Sequence, residues 1–334
     1  MKSIFVIAEI AQAHEGSLGI AHSYIDALAT CGVDAVKFQT HIANAESSSF
    51  EQFRIPFSYE DKSRFDYWKR MEFTPDQWAG LKKHCENKGV EFISSPFSVA
   101  AVELLERLNV KRYKIGSGEI TNYLMLDAIA KTGKPIILSS GMSDWAELDA
   151  TIAFLKPYRN SLSILQCTTA YPTLPHQWGL SAISEMKTRY GLPIGFSDHS
   201  GDIFAPLAAV SLGAEMIEFH CAFDKTMFGP DTKASLTINQ IHTLVKGIRQ
   251  ISDALQSHHA KQDNTPFNEL KILFGKSLAV NKSLKAGHVI QLSDLESKKP
   301  GDRGIPAKDY LSVVNKTLKV DKQQWDFLSN NDLL

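Results

Sequence analysis

The chain has 334 residues, 43% of them hydrophobic and 22% charged, with a net charge of −1. That length suits two domains or one large one, and the composition is that of an ordinary soluble globular protein. The balanced charge gives no reason to expect nucleic acid or an anionic membrane as partner, no apolar run reaches the length of a membrane span, and Glu9 makes the N-terminus acidic too early for a signal peptide. Cys31, Cys85, Cys167 and Cys221 have neither close pairs nor metal-ligand spacing, so they read as reduced thiols in a cytoplasmic protein. Cys167 and Cys221 fall at predicted strand ends and read there as small buried residues.

Eight short apolar runs follow one another, at 4–8, 35–38, 91–94, 112–115, 135–139, 163–166, 193–196 and 216–219. They are almost continuously hydrophobic, as strands covered on both faces must be. A helical pattern follows each. Thr74-Pro-Asp-Gln77 is a capping box with proline at the first helical position. Gly32, Gly89 and Gly133 sit where helix C-caps belong. Eight strand–helix units in about 255 residues have the rhythm of a (β/α)8 TIM barrel.

The segment 41–73, after the second strand, is long, polar and aromatic, with Phe50, Phe53, Phe57, Tyr59, Phe65, Tyr67 and Trp68. A connection of that length is a lid or a disordered insertion, and its aromatics argue against disorder because they can bury surface. The pattern breaks at a polar linker, 257–270. From 271 to 334 the chain reads as a small, loop-rich domain with alternating runs at 277–280 and 289–292 and turns at Lys285-Ala-Gly287 and 299–304. A domain of that size is near the lower limit for independent stability, which makes docking on a partner plausible.

In such a barrel the chemistry sits at the C-terminal ends of the strands. In order, those ends carry Glu9; Lys37 and Gln39; Ser94 and Ser95; Lys114, Ser117 and Glu119; Ser139 and Ser140; Thr168, Thr169 and Tyr171; His199; and His220. The last two close a β-α-β unit whose strands run the same way, so both imidazoles emerge at one sheet edge. Beside Ser197, Asp198 and Glu218 they read as a metal or an acid–base site. Lys37 and Lys114 directly follow apolar strand residues, a costly place unless each binds an anion or pairs with a carboxylate such as Glu9 or Glu119. Two lysines, several serines and a Gly-Ser-Gly turn make a cradle for phosphate or carboxylate. Two histidines add a divalent metal with open positions. The set suits a reaction between a phosphorylated anion and a carbonyl compound.

Ala8-Glu-Ile10 with His14-Glu-Gly-Ser17, Val36-Lys-Phe-Gln-Thr40, Tyr113-Lys-Ile-Gly-Ser-Gly-Glu119, Ile137-Leu-Ser-Ser-Gly-Met142, Gly195-Phe-Ser-Asp-His199, Glu218-Phe-His220 and Gly229-Pro-Asp231 resemble, in order and spacing, the motifs of the bacterial sialic acid synthases. That family includes N-acetylneuraminate, legionaminate and pseudaminate synthases and spore-coat polysaccharide relatives. The tail is similar to the family's antifreeze-like (SAF, β-clip) domain. The resemblance implies condensation of phosphoenolpyruvate with an open-chain N-acylated amino sugar, N-acetylmannosamine or a relative, to a nine-carbon 3-deoxy-ulosonic acid and phosphate. It implies that Lys37, Lys114, Ser117, Ser139, Thr169 and Ser197 hold phosphoenolpyruvate. His199 and His220 would ligate a divalent metal, typically manganese, with magnesium or cobalt as alternatives. Gln39, Glu119, Tyr171 and Asp231 would contact the sugar, and Glu9 would lie close to the reacting carbons. It also implies a homodimer in which each tail caps the partner's barrel.

Three positions depart from the family pattern. Ala13 stands where an Asn is usual, Thr169 where an Asn or Ser is usual, and Lys299 where the tail normally carries an Arg for the sugar's N-acyl group. Lysine lacks the planar guanidinium fork, and Arg303 is the candidate substitute. Three further readings stand beside this one: a phosphoenolpyruvate-dependent synthase of another deoxy-ulosonate, a Schiff-base aldolase using Lys114, and a binding module on a retired barrel.

Overall fold

The computed structural model describes residues 4–55, 57–256 and 263–334. It divides into two compact units, Met1–Ser257 and His258–Leu334. The first alternates strands and helices: β1 (Phe5–Glu9), α1 (Leu18–Thr30), β2 (Ala35–Thr40), α2 (Ala43–Glu46), α3 (Arg64–Met71), α4 (Pro75–Asn87), β3 (Glu91–Pro96), α5 (Val99–Arg107), β4 (Tyr113–Ile115) and α6 (Tyr123–Ala130). It continues with β5 (Ile136–Ser139), α7 (Trp145–Leu155), β6 (Leu162–Cys167), α8 (Ser181–Tyr190), β7 (Ile194–Asp198), α9 (Phe204–Ser211), β8 (Met216–Ala222), the short β9 (Leu236–Thr237) and α10 (Ile238–Gln256).

The ladder runs β3-β2-β1-β8-β7-β6-β5-β4, with every neighbouring pair parallel. Its two end strands, β3 and β4, lie side by side, so the sheet curls into the expected, nearly closed (β/α)8 barrel. Local chemistry sets the helix ends. Thr74 Oγ1 accepts from the Gln77 backbone N–H, and Gln77 returns the bond to Thr74 N. Ser17, Ser98, Asn122 and Asp144 cap their helices through the side chain. Gly32 and Gly89, just past α1 and α4, have φ of +78° and +75°, where a Cβ is strained.

Period-two alternation of the strands then builds the barrel in tiers. Outward residues such as Val6, Val36, Ile115 and Phe196 join the large core under the helices. Inward, the lowest tier is apolar: Ile7, Ala35, Ile93, Ile137, Leu165 and Met216 form a buried plug. Gly195 belongs to this level, where a Cβ would come within 2.5 Å of both Leu165 and the Met216 carbonyl. Two residues further along the same strands the plug gives way to Glu9, Lys37, Ser95, Ser139, Cys167 and Glu218, all buried. The plug is the floor of the site, and this polar tier is its base.

The described residues of segment 41–73 pack around their own aromatics. Tyr67, Trp68 and Met71 are buried with Ala43, and Phe53, Phe57 and Phe65 pack against them. Phe50 and Tyr59 stay exposed. Between the core of this unit and the second, residues 257–262 of the predicted linker lie outside the described residues. The rest of it is helical rather than extended, with a 3-10 turn at Thr265–Phe267 and α11 at Asn268–Phe274. Beyond it, β10 (Ser277–Val280) pairs antiparallel with β11 (Leu295–Lys298). The predicted run at 289–292 makes no strand. Val289 forms a single bridge with Thr317, and only Ile290 of its alternating pair is buried, in a small core with Leu278, Val280, Val313, Leu318 and Leu328. No described helix is long and apolar enough to cross a membrane.

Candidate active site

A cavity of about 530 Å³ opens at the C-terminal ends of the strands, the size of a small-molecule site. All thirteen site residues predicted in the first unit line it. At its base is a buried charge network. Glu9, Lys37, Lys114 and Glu218 are 1, 4, 2 and 3% exposed. Lys114 Nζ donates to Ser139 Oγ at 2.7 Å and to Glu218 Oε1 at 3.0 Å, which also accepts from Ser197 Oγ at 3.0 Å. Lys37 Nζ lies 3.5 Å from the same carboxylate oxygen and 2.9 Å from Glu9 Oε2. That last contact is off the hydrogen-bonding direction, so Glu9 Oε2 has a charge neighbour but, like Glu218 Oε2, no hydrogen bond.

Burial opposes the charge on both lysines, with opposite outcomes. At Lys114 burial prevails and lowers the pKa, because Glu218 offsets it only in part. At Lys37 burial is outweighed by Glu218 and Glu9 together, and the ammonium is held above its ordinary value. Burial likewise disfavours the Glu218 carboxylate, but Lys114 and Lys37 hold it ionised and below the usual range. One carboxylate thus serves two lysines across the barrel. The sequence reading had offered Glu9 or Glu119 as their partners. Glu9 does pair with Lys37, but Glu119 binds Asn122 Nδ2 at 2.8 Å instead. The sequence reading had set Glu218 beside the histidine pair, not between the two lysines.

A small-residue wall stands beside the lysines. A Cβ on Gly141 would meet Thr169 Oγ1 at 2.5 Å, Ser117 Oγ at 2.6 Å and Cys167 Sγ at 3.1 Å. Ser139 and Ser197 bond Lys114 and its partner Glu218, while Ser117 and Thr169 stand together here. Cys167 joins them, its thiol pKa pushed up by burial.

His199 and His220 follow on β7 and β8, with ring centroids 5.2 Å apart and the Tyr171 ring 4.5 Å from His199. Burial, reinforced by the neighbouring His220, keeps the His199 pKa far below its ordinary value, so the ring is neutral and has a lone pair to give. Asp198 turns to the other face of β7 and bonds Ser200, and burial raises its pKa to about 7. It does not line the cavity. Among the described residues no group of three or more His, Cys, Asp or Glu is arranged to hold a metal ion. Two imidazoles fit a divalent ion only if its other positions are left to water and substrate. The charges of Glu9, Lys37, Glu218 and Lys114 cancel, so the base alone cannot neutralise an incoming phosphate and carboxylate. A divalent cation beside it would offset most of that charge.

The other half of the cavity is the sugar side of the sequence reading. Gln39 Nε2 donates to Glu9 Oε1 at 2.8 Å, linking the two halves. Its Oε1 accepts from Gln12 Nε2 at 2.5 Å. His41, stacked between Trp68 and Phe97 and bonded to Glu46 at 2.6 Å, closes that wall. The Glu119 pKa is raised by burial. Asp231, on the loop after β8, pairs with Arg54 from the aromatic segment. Gln12, His41 and Arg54 were missed in sequence because nothing local marks them. Lys299 and Arg303 belong to the second unit. Lys299 Nζ lies 4.9 Å from the centre of the Phe274 ring, and Arg303 is exposed with a loose 4.0 Å pair to Asp302.

Residues 24–260 match the NeuB family, and residues 275–333 match the SAF domain. The N,N'-diacetyllegionaminic acid synthase of Campylobacter jejuni is 35% identical over 322 residues, covering 95% of this chain and 96% of that protein. The N-acetylneuraminate-9-phosphate synthase of Homo sapiens is 33% identical over 328 residues, covering 96% and 90%. Among solved structures, the N-acetylneuraminic acid synthetase of Leptospira borgpetersenii serovar Hardjo-bovis in complex with citrate aligns with a TM-score of 0.72 at 32% identity, covering 80% of this chain and 90% of that one.

Proposed function

The chain belongs to the NeuB family, and from that membership we propose that it condenses phosphoenolpyruvate with an open-chain N-acylated amino sugar, N-acetylmannosamine or a relative. The products are a nine-carbon 3-deoxy-ulosonic acid and phosphate. The observation that most supports this reading is the buried Glu9–Lys37–Glu218–Lys114 set, flanked by Ser139 and Ser197 and standing beside two histidines.

In this reading Lys37, Lys114, Ser117, Ser139, Thr169 and Ser197 hold phosphoenolpyruvate. The anion competes for the lysine protons that Glu218 now accepts. Gln39, Glu119, Tyr171 and Asp231 hold the sugar, with its aldehyde toward the histidines. His199 and His220 hold a divalent ion, manganese by expectation. When bound, that ion supplies a Lewis acid that polarises the aldehyde.

The methylene carbon of phosphoenolpyruvate gives its electron pair to the aldehyde carbon, a carbon–carbon bond forms, and the carbonyl π pair passes to the aldehyde oxygen. Positive character develops at the carbon bearing phosphate. The Glu9 carboxylate, pointed there by Gln39 and Lys37, stabilises that charge and accepts a proton from the water that adds. The carbon–oxygen bond to phosphate then breaks and phosphate leaves with the electron pair; the added hydroxyl gives its proton to the departing phosphate as the ketone forms, and the proton held by Glu9 passes to the new sugar hydroxyl. A homodimer with exchanged tails, with Lys299 or Arg303 reaching the sugar, belongs to the same proposal; gel filtration showing a fully active monomer would remove it.

The test is phosphate release from phosphoenolpyruvate with a panel of N-acylated hexosamines, using phosphoenolpyruvate labelled with heavy oxygen in the bridging position. Label recovered in phosphate is expected. Label retained in the organic product, or no release with any sugar, overturns the reading. The lowered pKa of Lys114 favours one rival, a Schiff-base aldolase. Borohydride in the presence of substrates should leave Lys114 unmodified, and a trapped adduct there would decide for the rival.

A further inference from the structure

The acceptor half of the cavity contains a guanidinium for which neither the strand ends nor the phosphate cradle accounts. Arg54 lies in the stretch 47–63 between α2 and α3 and lines the cavity. Its Nη2 donates to Asp231 Oδ1 at 3.0 Å, a contact spanning 177 positions of sequence. Its guanidinium carbon sits 4.3 Å from the centre of the Tyr171 ring. An ion pair on one edge and an aromatic face beneath it fix the plane of the group. Three different strand-end loops meet in this contact. Among the described residues Nε and Nη1 have no protein partner, so their N–H groups remain available to a ligand.

The charges nearby indicate what kind of ligand group they suit. The guanidiniums in this half are Arg54 and Arg64, and both are already paired: Arg54 with Asp231, and Arg64 with Glu51 at 3.4 Å while lying 4.0 Å above Trp68. Glu46 and Glu119 also line this half. Its carboxylates, Glu46, Glu51, Glu119 and Asp231, outnumber these two guanidiniums, so a second phosphate on the acceptor would be repelled, and among the described residues lining this half it would meet no unpaired cation. An uncharged carbonyl or hydroxyl oxygen would instead accept a hydrogen bond from a charge-balanced donor.

We infer that Arg54 is a specificity-determining residue of the acceptor half, donating from Nε or Nη1 to an uncharged oxygen of the sugar while Asp231 and Tyr171 hold it in place. The inference rests on the proposed condensation. Its test uses the full chain with manganese, phosphoenolpyruvate and whichever N-acylated hexosamine releases most phosphate, together with the 6-phosphate of that sugar.

Arg54→Ala is expected to raise the KM for the sugar by ~10- to 100-fold, the loss of a hydrogen bond from a charged donor, with the KM for phosphoenolpyruvate unchanged. Free guanidinium ion should restore part of the loss in Arg54→Ala. Arg54→Lys should stay defective because it lacks the planar fork. Wild type should prefer the uncharged sugar over its 6-phosphate by at least ~10-fold. An unchanged sugar KM, a parallel rise in both KM values, or a preference for the 6-phosphate overturns the inference and leaves the condensation standing. No phosphate release by wild type overturns both.

Discussion

The base of the cavity and its rim are built from the same kinds of charged residue under opposite conditions. At the base, Glu9, Lys37, Lys114 and Glu218 are fully enclosed, and each charge depends on its neighbours. At the rim, the Arg54 and Asp231 side chains are 46 and 19% exposed, and water screens their pair. Removing one partner at the base strands a buried charge, whereas the same change at the rim leaves a solvated one. The base is therefore held rigidly by its own charges, and the rim can vary without endangering the fold.

The largest effect should come at the top of the base. His199→Ala or His220→Ala, or a chelator with wild type, should lower turnover by ~10³-fold or more, since several kcal/mol of charge stabilisation are lost. Full activity in the chelator would remove the metal from the proposal. Next, Lys114→Met should lower phosphate release by ~10²-fold and destabilise the fold by about 3–5 kcal/mol, measured by denaturant unfolding, because Glu218 loses its nearest cation. A stable Lys114→Met protein would erase the contrast between base and rim.

Glu9→Gln keeps the shape and the neighbour Gln39. It should lower kcat by ~10²-fold with little change in either KM, as loss of a positioned base would. An unchanged kcat would reassign the water-activating role. The smallest effect is expected at the rim, where Arg54→Ala should shift stability by less than about 1 kcal/mol. A larger loss would show that the aromatic segment is held down by this one contact.

Much of this was legible in sequence, and the misses share a cause. All eight barrel strands were located from their apolar runs, because strands covered on both faces must be apolar. Several of them extend beyond the predicted end: β2 carries on through Gln39 and Thr40, β3 through Ser95 and Pro96, and β7 through Ser197 and Asp198. Thr40, Ser95 and Ser197 there are buried by groups from distant strands, which no local window reveals. Lys114 finds Glu218 at a separation of 104 residues, and Arg54 finds Asp231 at 177. The lysines announced themselves by following apolar residues, but their true partner did not. The run at 289–292 failed for the opposite reason: alternation was present, but no neighbouring strand extends to pair with it.

Strand β8 has a consequence beyond this chemistry. Along its inward face it presents Met216 to the plug, Glu218 to the two lysines and His220 to the mouth, at a spacing of two. A single inserted or deleted residue in β8 would rotate everything beyond it to the helix side, delivering Phe219 or Cys221 in place of the functional pair. Inheritance in this protein is thus constrained by strand length as well as by residue identity. Descendants with new acceptors should differ by loop insertions after β2 and β8, while the strands between keep their count.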